Sequence, residues 1–208
     1  LAAVVANSYA CQRWLMAEPP NTERAHRTVE AIIRDANAAS DVVGRIRALF
    51  KQSVDSRVSA AIGSILAEAR ELTAEEAMRR SVRVQIDLGD RLPPVEVDRV
   101  QLQQVLINLI RNGMEAMDAP GGDKILQVRA YALGDLVQIE VSDRGGGIES
   151  PDRIFEPFFT TKAHGMGMGL AICRSIIESH GGRLWVETDR SHGTTFFFTL
   201  PIQAKAAA

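Results

Sequence analysis

The chain has 208 residues, 46% hydrophobic and 24% charged, a composition typical of a globular protein with one large or two modest domains. Its formal net charge of −2 gives no electrostatic reason to expect a nucleic-acid partner or a membrane surface. Two cysteines, Cys11 and Cys173, are too few for a disulfide framework and fit a reducing compartment. No apolar run reaches the roughly 18 residues that span a bilayer. We therefore expect a cytoplasmic chain, with any membrane attachment in segments upstream of Leu1.

The first fifty residues predict two helices separated by a proline turn. The first helix runs from Leu1 to about Met16, and tandem prolines end it. Asn21 or Thr22 can cap the second. That helix carries small or apolar residues at intervals of three or four: Val29, Ile32, Ala36, Ala39, Val43, Ile46 and Phe50. Such a seam is typical of a helical bundle. Since a hairpin cannot bury both of its faces, we expect a homodimer through residues 1–50, and packing on the rest of the chain is the alternative.

The remainder of the chain predicts a linker at residues 51–56, an α+β domain at residues 57–203 and a frayed tail at residues 204–208. Periodicity within the domain indicates the following elements: a helix over 58–72, a strand over 82–88, a short extended piece within 90–98, a helix over 99–117, a hairpin that turns at 134–135, a helix from 170 that ends at 181, and strands over 183–187 and 194–200.

Two asparagines lie on one face of the helix over residues 99–117. Asn108 and Asn112 are four residues apart, amid apolar neighbours. Asparagine disfavours helix interiors, so a polar task is indicated. An amide oxygen is a hard ligand that suits Mg²⁺. The alternative is a pair of buried amides that the backbone satisfies.

A single carboxylate closes the next alternating strand. Asp143 precedes three glycines, residues 145–147. A carboxylate only accepts hydrogen bonds, and it can receive the amino group of adenine, whereas guanine offers a carbonyl there. Glycines beside it let a flat base approach the backbone. An ordinary Asp-Gly turn is the alternative.

Three alternate glycines, Gly165, Gly167 and Gly169, precede an apolar helix that starts at Leu170. A glycine-rich loop that enters a helix exposes backbone N–H groups and the positive helix end, which suits phosphates. The spacing is neither a dinucleotide fingerprint nor a P-loop. Lys162 lies just before the loop and is either a phosphate contact or a solvated lysine.

The last strand completes the series of polar signals. Thr194 shares a face with Phe196, Phe198 and Leu200, so it points inward and can reach a bound base.

The order of these segments resembles the sensor histidine kinases of two-component systems. Asn-x-x-x-Asn, Asp-x-Gly-x-Gly, "IFEPFFTTK" and Gly-x-Gly-x-Gly look like that family's N box, first glycine box, F box and second glycine box. Residues 1–50 resemble its dimerisation and phosphotransfer hairpin, and residues 57–203 its catalytic ATP-binding domain. The resemblance implies an α/β sandwich whose mixed sheet is covered on one face by helices.

The same resemblance implies roles for particular residues. Asn112 matches the Mg²⁺ ligand, and Asn108 matches the position where related ATPases carry a catalytic glutamate. Asp143 matches the adenine-binding aspartate. Gly145 and Gly147 would line the base pocket, and Gly165, Gly167 and Gly169 match the hinge and phosphate-facing end of the ATP lid. Three further candidate nucleotide-binding residues are Lys162, Leu170 and Thr194.

The implied activity is transfer of the γ-phosphoryl group of Mg-ATP to a histidine upstream of this chain, and then to an aspartate on a response-regulator receiver domain. The family's acceptor motif, a histidine followed by an acidic residue, is absent. None of the four histidines, His26, His164, His180 and His192, has such a neighbour. We therefore expect this chain to bind ATP without phosphorylating itself.

Two other functions remain open at this point. Chaperone, mismatch-repair and topoisomerase ATPases of the same superfold use a glutamate where Asn108 stands, and an amide cannot take a proton from water. Asn108 therefore favours transfer over hydrolysis. A non-catalytic dimerisation module with a vestigial pocket is the third possibility.

Overall fold

The structure consists of two units, Leu1–Phe50 and Lys51–Ala208. The computed structural model describes residues 2–50, 57–118, 123–162, 166–189 and 193–202. The predicted linker at residues 51–56 and the predicted tail at residues 204–208 lie outside the described residues.

The first unit is a helical hairpin, as the sequence predicts. Helix α1 spans Ala2–Leu15 and α2 spans Thr22–Phe50. The side-chain oxygen of Asn21 accepts a hydrogen bond from the backbone N–H of Arg24 at 3.0 Å, so Asn21 caps α2. Ala25 is buried between the two helices.

The seam of α2 leaves apolar surface exposed on this hairpin. Val29, a seam residue, is 41% exposed, and Ile33, which follows the seam residue Ile32, is 56% exposed. On α1, Val5 and Tyr9 are exposed as well. The side chains of the later seam residues, Ala39, Val43, Ile46 and Phe50, lie outside the described residues.

The second unit contains three helices and seven strands among its described residues. In chain order they are β1 (Val58–Ala60), α3 (Ile62–Arg79), β2 (Arg83–Leu88), β3 (Val95–Val97), α4 (Arg99–Ala116), β4 (Ile125–Leu133), β5 (Leu136–Ser142), α5 (Gly169–Ser179), β6 (Leu184–Asp189) and β7 (Gly193–Pro201). This is the predicted α+β class, and the helix and strand order agrees with the sequence pattern.

A mixed five-stranded sheet forms the frame of this unit. Its strand order is β2-β4-β5-β7-β6, with β2 and β4 parallel and the other neighbours antiparallel. Val137, Ile139 and Val141 alternate along β5 and are fully buried beneath the helices, because successive side chains point to opposite faces. On the other face Trp185 stacks on Phe197 with ring centroids 5.2 Å apart. The sheet is therefore covered by helices on one face, as expected.

The helix predicted over residues 58–72 begins later and ends later in the structure, at Ile62 and Arg79. Val58 belongs to β1, which pairs antiparallel with β3, and is not part of a helix. Leu72 lies in α3 but is 60% exposed, whereas Thr73 is fully buried. The hydroxyl of Thr73 donates to the carbonyl of Ala69 at 2.8 Å, so a threonine occupies the core stripe without an unpaired polar group.

A buried histidine connects the end of α5 to the start of α4. The side chain of Asp98 caps α4 by accepting from the N–H groups of Val100 and Gln101. The backbone N–H of Asp98 donates to Nε2 of His180 at 3.0 Å. Nε2 therefore accepts, and Nδ1–H of the neutral ring donates to the carbonyl of Ile176 at 2.7 Å.

We expect His180→Ala to lower the free energy of unfolding by about 1–3 kcal/mol, because the buried N–H of Asp98 loses its acceptor. Urea denaturation of the whole chain measures the change. His26→Ala is the matched control, since the side chain of His26 is 75% exposed, and its effect should stay within about 0.5 kcal/mol. Equal effects of the two substitutions would contradict the role of His180.

Candidate functional site

The predicted site residues of the second unit gather around the C-terminal half of α4, the end of β5 and the start of α5. Gly113 of α4 makes the approach possible. A Cβ on Gly113 would lie 3.4 Å from the Cβ of Asp143 and would overlap the side chain of Leu126. The bare backbone at Gly113 lets α4 pack directly on the sheet, beside Asp143.

Asp143 is a buried carboxylate with one oxygen engaged. It is 5% exposed. Its Oδ1 accepts from the N–H of Gly145 at 2.8 Å and from the N–H of Thr194 at 3.3 Å. Burial raises the pKa of Asp143, and these two backbone hydrogen bonds oppose the rise. Within the described parts of the chain no hydrogen bond reaches Oδ2, so this oxygen is available as an acceptor.

Two glycines allow backbone segments to approach this carboxylate. A Cβ on Gly145 would lie 2.6 Å from the carbonyl oxygen of Ala116 at the end of α4. Gly193 has a φ of +93°, and a Cβ there would lie 2.9 Å from the Cα of Arg144. Any side chain at either position would displace the loop after β5. Gly147, in the same loop, has a φ of +73°.

The hydroxyl of Thr194 is directed at a neighbouring strand. Thr194 is buried, as its position in the pattern predicts. Its Oγ1 lies 3.2 Å from Oγ1 of Thr188, which also accepts from the N–H of Ile148 at 2.9 Å. Thr188 and Thr194 are directly paired in the β6–β7 register. Thr188 was not among the predicted site residues, because its pairing with Thr194 depends on the register of β6 and β7.

A cation lies between an amide and a carboxylate at the end of α4. The ammonium of Lys162 donates to Oδ1 of Asn112 at 2.8 Å and forms an ion pair with Glu115. Arg80 lies 4.0 Å from the other oxygen of Glu115. Lys162 therefore contacts the predicted metal ligand, whereas the sequence left open a phosphate contact or a solvated lysine. Glu115 was missed, although it follows Asn112 by three residues and so shares its helical face.

The second asparagine contacts α5. Nδ2 of Asn108 donates to Sγ of Cys173 at 3.2 Å. A Cβ on Gly169, the first residue of α5, would lie 2.7 Å from Oδ1 of the same amide. Gly169 is therefore bare because Asn108 occupies the space that a side chain would need. Leu170 follows in the first turn of α5 and is half-buried.

The loop before α5 also needs bare backbone. Gly167 has a φ of +66°, and a Cβ there would lie 2.5 Å from the carbonyl oxygen of Phe159. Gly165 lies outside the described residues. Among the described residues, no side chain caps the N-terminus of α5, and no acidic residue stands in its first turn. Its first N–H groups and its positive end are therefore suited to an anion.

The chemistry of these groups fits a nucleotide with a divalent cation. Asp143 offers a buried acceptor for an amino group, and α5 offers a helix N-terminus for phosphate. Asn112 and Glu115 offer oxygens that already accept one cation, the ammonium of Lys162. Across the described ranges, no group of three or more His, Cys, Asp or Glu residues could hold a metal. A metal held by Asn112 would therefore take further ligands from phosphate and water.

The fold and this site define an ATP-binding α/β sandwich domain. Residues 97–204 match the family described as "Histidine kinase-, DNA gyrase B-, and HSP90-like ATPase". This match covers more than half of the chain, and the chain belongs to that family.

Similar proteins narrow the comparison to sensor histidine kinases. The chain is 36% identical to the sensor protein FixL of Bradyrhizobium diazoefficiens over 203 residues, which are 96% of this chain and 40% of FixL. The chain thus spans about two fifths of the length of that relative. The resemblance to sensor histidine kinases is confirmed, and it is favoured over the chaperone, mismatch-repair and topoisomerase alternative.

Solved structures agree with this comparison. The catalytic domain of histidine kinase ThkA aligns with a TM-score of 0.62 at 33% identity, over 70% of this chain and 95% of that one. Full-length ShkA in complex with AMPPNP aligns with a TM-score of 0.75 at 26% identity, over 93% of this chain and 40% of that one. Among the helices that the structure describes, none has the length and apolar character needed to cross a membrane.

We expect Asp143→Asn to be at least as stable as the parent at pH 8, because asparagine keeps an acceptor at Oδ1 and removes a buried charge. The raised pKa of Asp143 means that its protonated form is favoured by folding. The parent therefore gains stability relative to the variant as the pH falls through that pKa.

Urea denaturation at several pH values between 8 and about 4 measures this difference. Asp87→Asn, at an exposed position on β2, is the control. A variant that is less stable than the parent at pH 8 would show that the carboxylate charge stabilises the fold.

Proposed function

We propose that this chain is the kinase core of a two-component sensor histidine kinase. Residues 57–203 would bind Mg-ATP and transfer the γ-phosphoryl group to a histidine outside this chain, from which it passes to an aspartate of a response-regulator receiver domain. The observation that carries the proposal is the buried carboxylate of Asp143, with one oxygen held by two backbone N–H groups and the other available.

Adenine recognition would follow from the available oxygen of the Asp143 carboxylate. Oδ2 of Asp143 can accept a hydrogen bond from the exocyclic amino group of adenine, whereas guanine presents a carbonyl oxygen at the same position. The close packing at Gly145 and Gly193 holds the acceptor in place. Because the donors to Oδ1 are backbone groups, the carboxylate has little freedom to turn away.

The phosphates would lie toward the start of α5. Its uncapped N–H groups and the bare backbone at Gly167 and Gly169 suit them. Asn112 would hold Mg²⁺, which neutralises charge on the phosphate oxygens in this chemistry. Lys162 would leave Asn112 for a phosphate oxygen when the metal binds, and Glu115 would remain beside the cation.

The position of Asn108 supports transfer over hydrolysis. Its Nδ2 donates a hydrogen bond to Sγ of Cys173. An amide cannot take a proton from an attacking water molecule. Catalysis would then depend mainly on positioning and charge neutralisation. The nucleophile would be an imidazole supplied from elsewhere.

The helical hairpin would supply dimerisation. We propose that residues 1–50 form a four-helix bundle with a second copy and that residues 51–56 link it to the ATP-binding domain. Exposed apolar side chains on both helices support this, among them Val5 and Tyr9 of α1 and Val29 and Ile33 of α2. The receiver-domain partner rests on the likeness to sensor histidine kinases.

Nucleotide titration tests the ATP-binding part of the proposal. We expect the parent to bind ATP in preference to GTP, and Asp143→Asn to bind ATP at least about tenfold more weakly, because one acceptor oxygen becomes a donor. Asn112→Ala should lose most of the tightening of ATP binding that Mg²⁺ produces. Calorimetry with and without Mg²⁺ measures both effects, and Asp87→Asn should behave as the parent.

Unchanged affinity in Asp143→Asn would remove Asp143 from the base site. Full Mg²⁺ dependence in Asn112→Ala would place the metal ligand elsewhere. A parent that binds no nucleotide would support the non-catalytic alternative.

Transfer to a separate acceptor tests the kinase activity. With ATP labelled at the γ-phosphate, this chain alone should remain unlabelled, because none of its histidines has the acidic neighbour that would manage the imidazole proton. A longer version of the hairpin that carries the family's acceptor motif should become labelled when this chain is added.

The label should be acid-labile and alkali-stable. Asp143→Asn is the negative control, since it should not deliver phosphate to the added hairpin. Labelling of the 208-residue chain alone, for example at His26, would contradict the expected division of roles.

A further inference from the structure

We infer that Cys173 is a positioning residue that fixes the orientation of the Asn108 carboxamide toward the cation side of the nucleotide site. The inference rests on the proposed function in one respect: it assumes that the site binds Mg-ATP. Neither the sequence pattern nor the likeness to sensor kinases assigns a role to Cys173.

The thiol is held between two groups of α4. Cys173 is 1% exposed, and its Sγ lies 4.0 Å from the carbonyl oxygen of Val105. On its other side Sγ accepts from Nδ2 of Asn108 at 3.2 Å. A thiol offers one weak donor and a weak acceptor. With S–H directed at the Val105 carbonyl, a sulfur lone pair remains for the amide of Asn108.

This contact decides which end of the amide faces the site. A carboxamide presents donors at one end and an acceptor at the other, and the two ends have nearly the same shape. Because the sulfur holds the NH₂ end, Oδ1 is the atom closest to the start of α5, where a Cβ on Gly169 would lie 2.7 Å from it. A flipped amide would present donors there.

An oxygen at this position suits a cation. Asn108 and Asn112 are one helical turn apart, so they share a face of α4. Oδ1 of Asn112 already accepts from the ammonium of Lys162. If Asn112 holds Mg²⁺, Oδ1 of Asn108 would offer a second amide oxygen on the same helical face to the ion or its bound water, and hard oxygen ligands are those that Mg²⁺ prefers.

The position of Cys173 in the sequence supports this role. It follows Gly169 by four residues, so the two lie on the same face of α5. Gly169 leaves room for the amide and Cys173 orients it. Valine would fill the space of the thiol without offering an acceptor, whereas serine would offer one.

Two variants test the inference through the effect of Mg²⁺ on ATP affinity. We expect Cys173→Val to lose about fivefold of the tightening that Mg²⁺ produces, with Mg²⁺-free ATP binding nearly unchanged. Cys173→Ser should retain most of the tightening, because the hydroxyl can accept from Nδ2. Urea denaturation of each variant separates this effect from any change in packing.

A double-mutant cycle connects the effect to Asn108. In the Asn108→Ala background, Cys173→Val should produce no further loss of Mg²⁺ dependence, because no amide remains to be oriented. A parent-like response of Cys173→Val to Mg²⁺, or an equal loss with and without Asn108, would overturn the inference.

A measurement without nucleotide distinguishes failure of this inference from failure of the proposed function. The side-chain amide signals of Asn108 in ¹⁵N spectra should shift in Cys173→Val and return toward the parent position in Cys173→Ser. Identical signals in the parent and Cys173→Val would overturn the inference whether or not the chain binds ATP. If the amide signals shift in Cys173→Val but the parent binds no ATP, the result would count against the proposed function alone.

Discussion

The carboxylate of Asp143 is buried where β5 ends, and backbone N–H groups from two different segments converge on one of its oxygens. Burial of this kind disfavours the charged form, so surrounding structure must hold it in place. Three glycines around it, Gly113, Gly145 and Gly193, have no side chain to block close packing. They allow α4, the loop after β5 and the start of β7 to come within contact distance of one another. The site therefore depends on close backbone packing more than on long side chains.

This arrangement trades stability for recognition. An uncharged residue at position 143 would be easier to bury, yet it would not present the same acceptor to a bound base. The rest of the unit compensates with a well-packed interior, in which the inward residues of β4, β5 and β7 and one face of each helix are buried. The hydrogen bond from the backbone N–H of Asp98 to His180 further connects the start of α4 to the end of α5.

Much of the fold could be predicted because its elements have strong periodicity. The helices over residues 2–15, 22–50 and 99–116 and the strands of the hairpin lie close to their predicted positions. β1 was missed because three extended residues lead directly into the apolar pattern of α3. The apolar Leu72 lies outside the buried stripe of α3, because the helical period places Thr73 there, and a threonine that bonds its own helix can be buried.

The candidate site divides in the same way. The order of the asparagine, aspartate and glycine segments indicated which residues would lie at the site, because their spacing along the chain places them at the ends of particular helices and strands. The partners of Lys162 and Asn108 could not be predicted, because they depend on the rotamers of long side chains and on how α4 and α5 pack. Cys173 and Glu115 carry no motif, and only their helical spacing connects them to the site.

The ammonium of Lys162 has a consequence for how the site responds to metal ions. With Lys162 beside them, the oxygens of Asn112 and Glu115 face a cation before any metal arrives. If Asn112 holds the metal as proposed, an incoming divalent ion would compete with this tethered ammonium, whose local concentration does not depend on how much protein is present. Under the proposed function, metal binding at Asn112 would therefore have to overcome the free energy of one lysine contact.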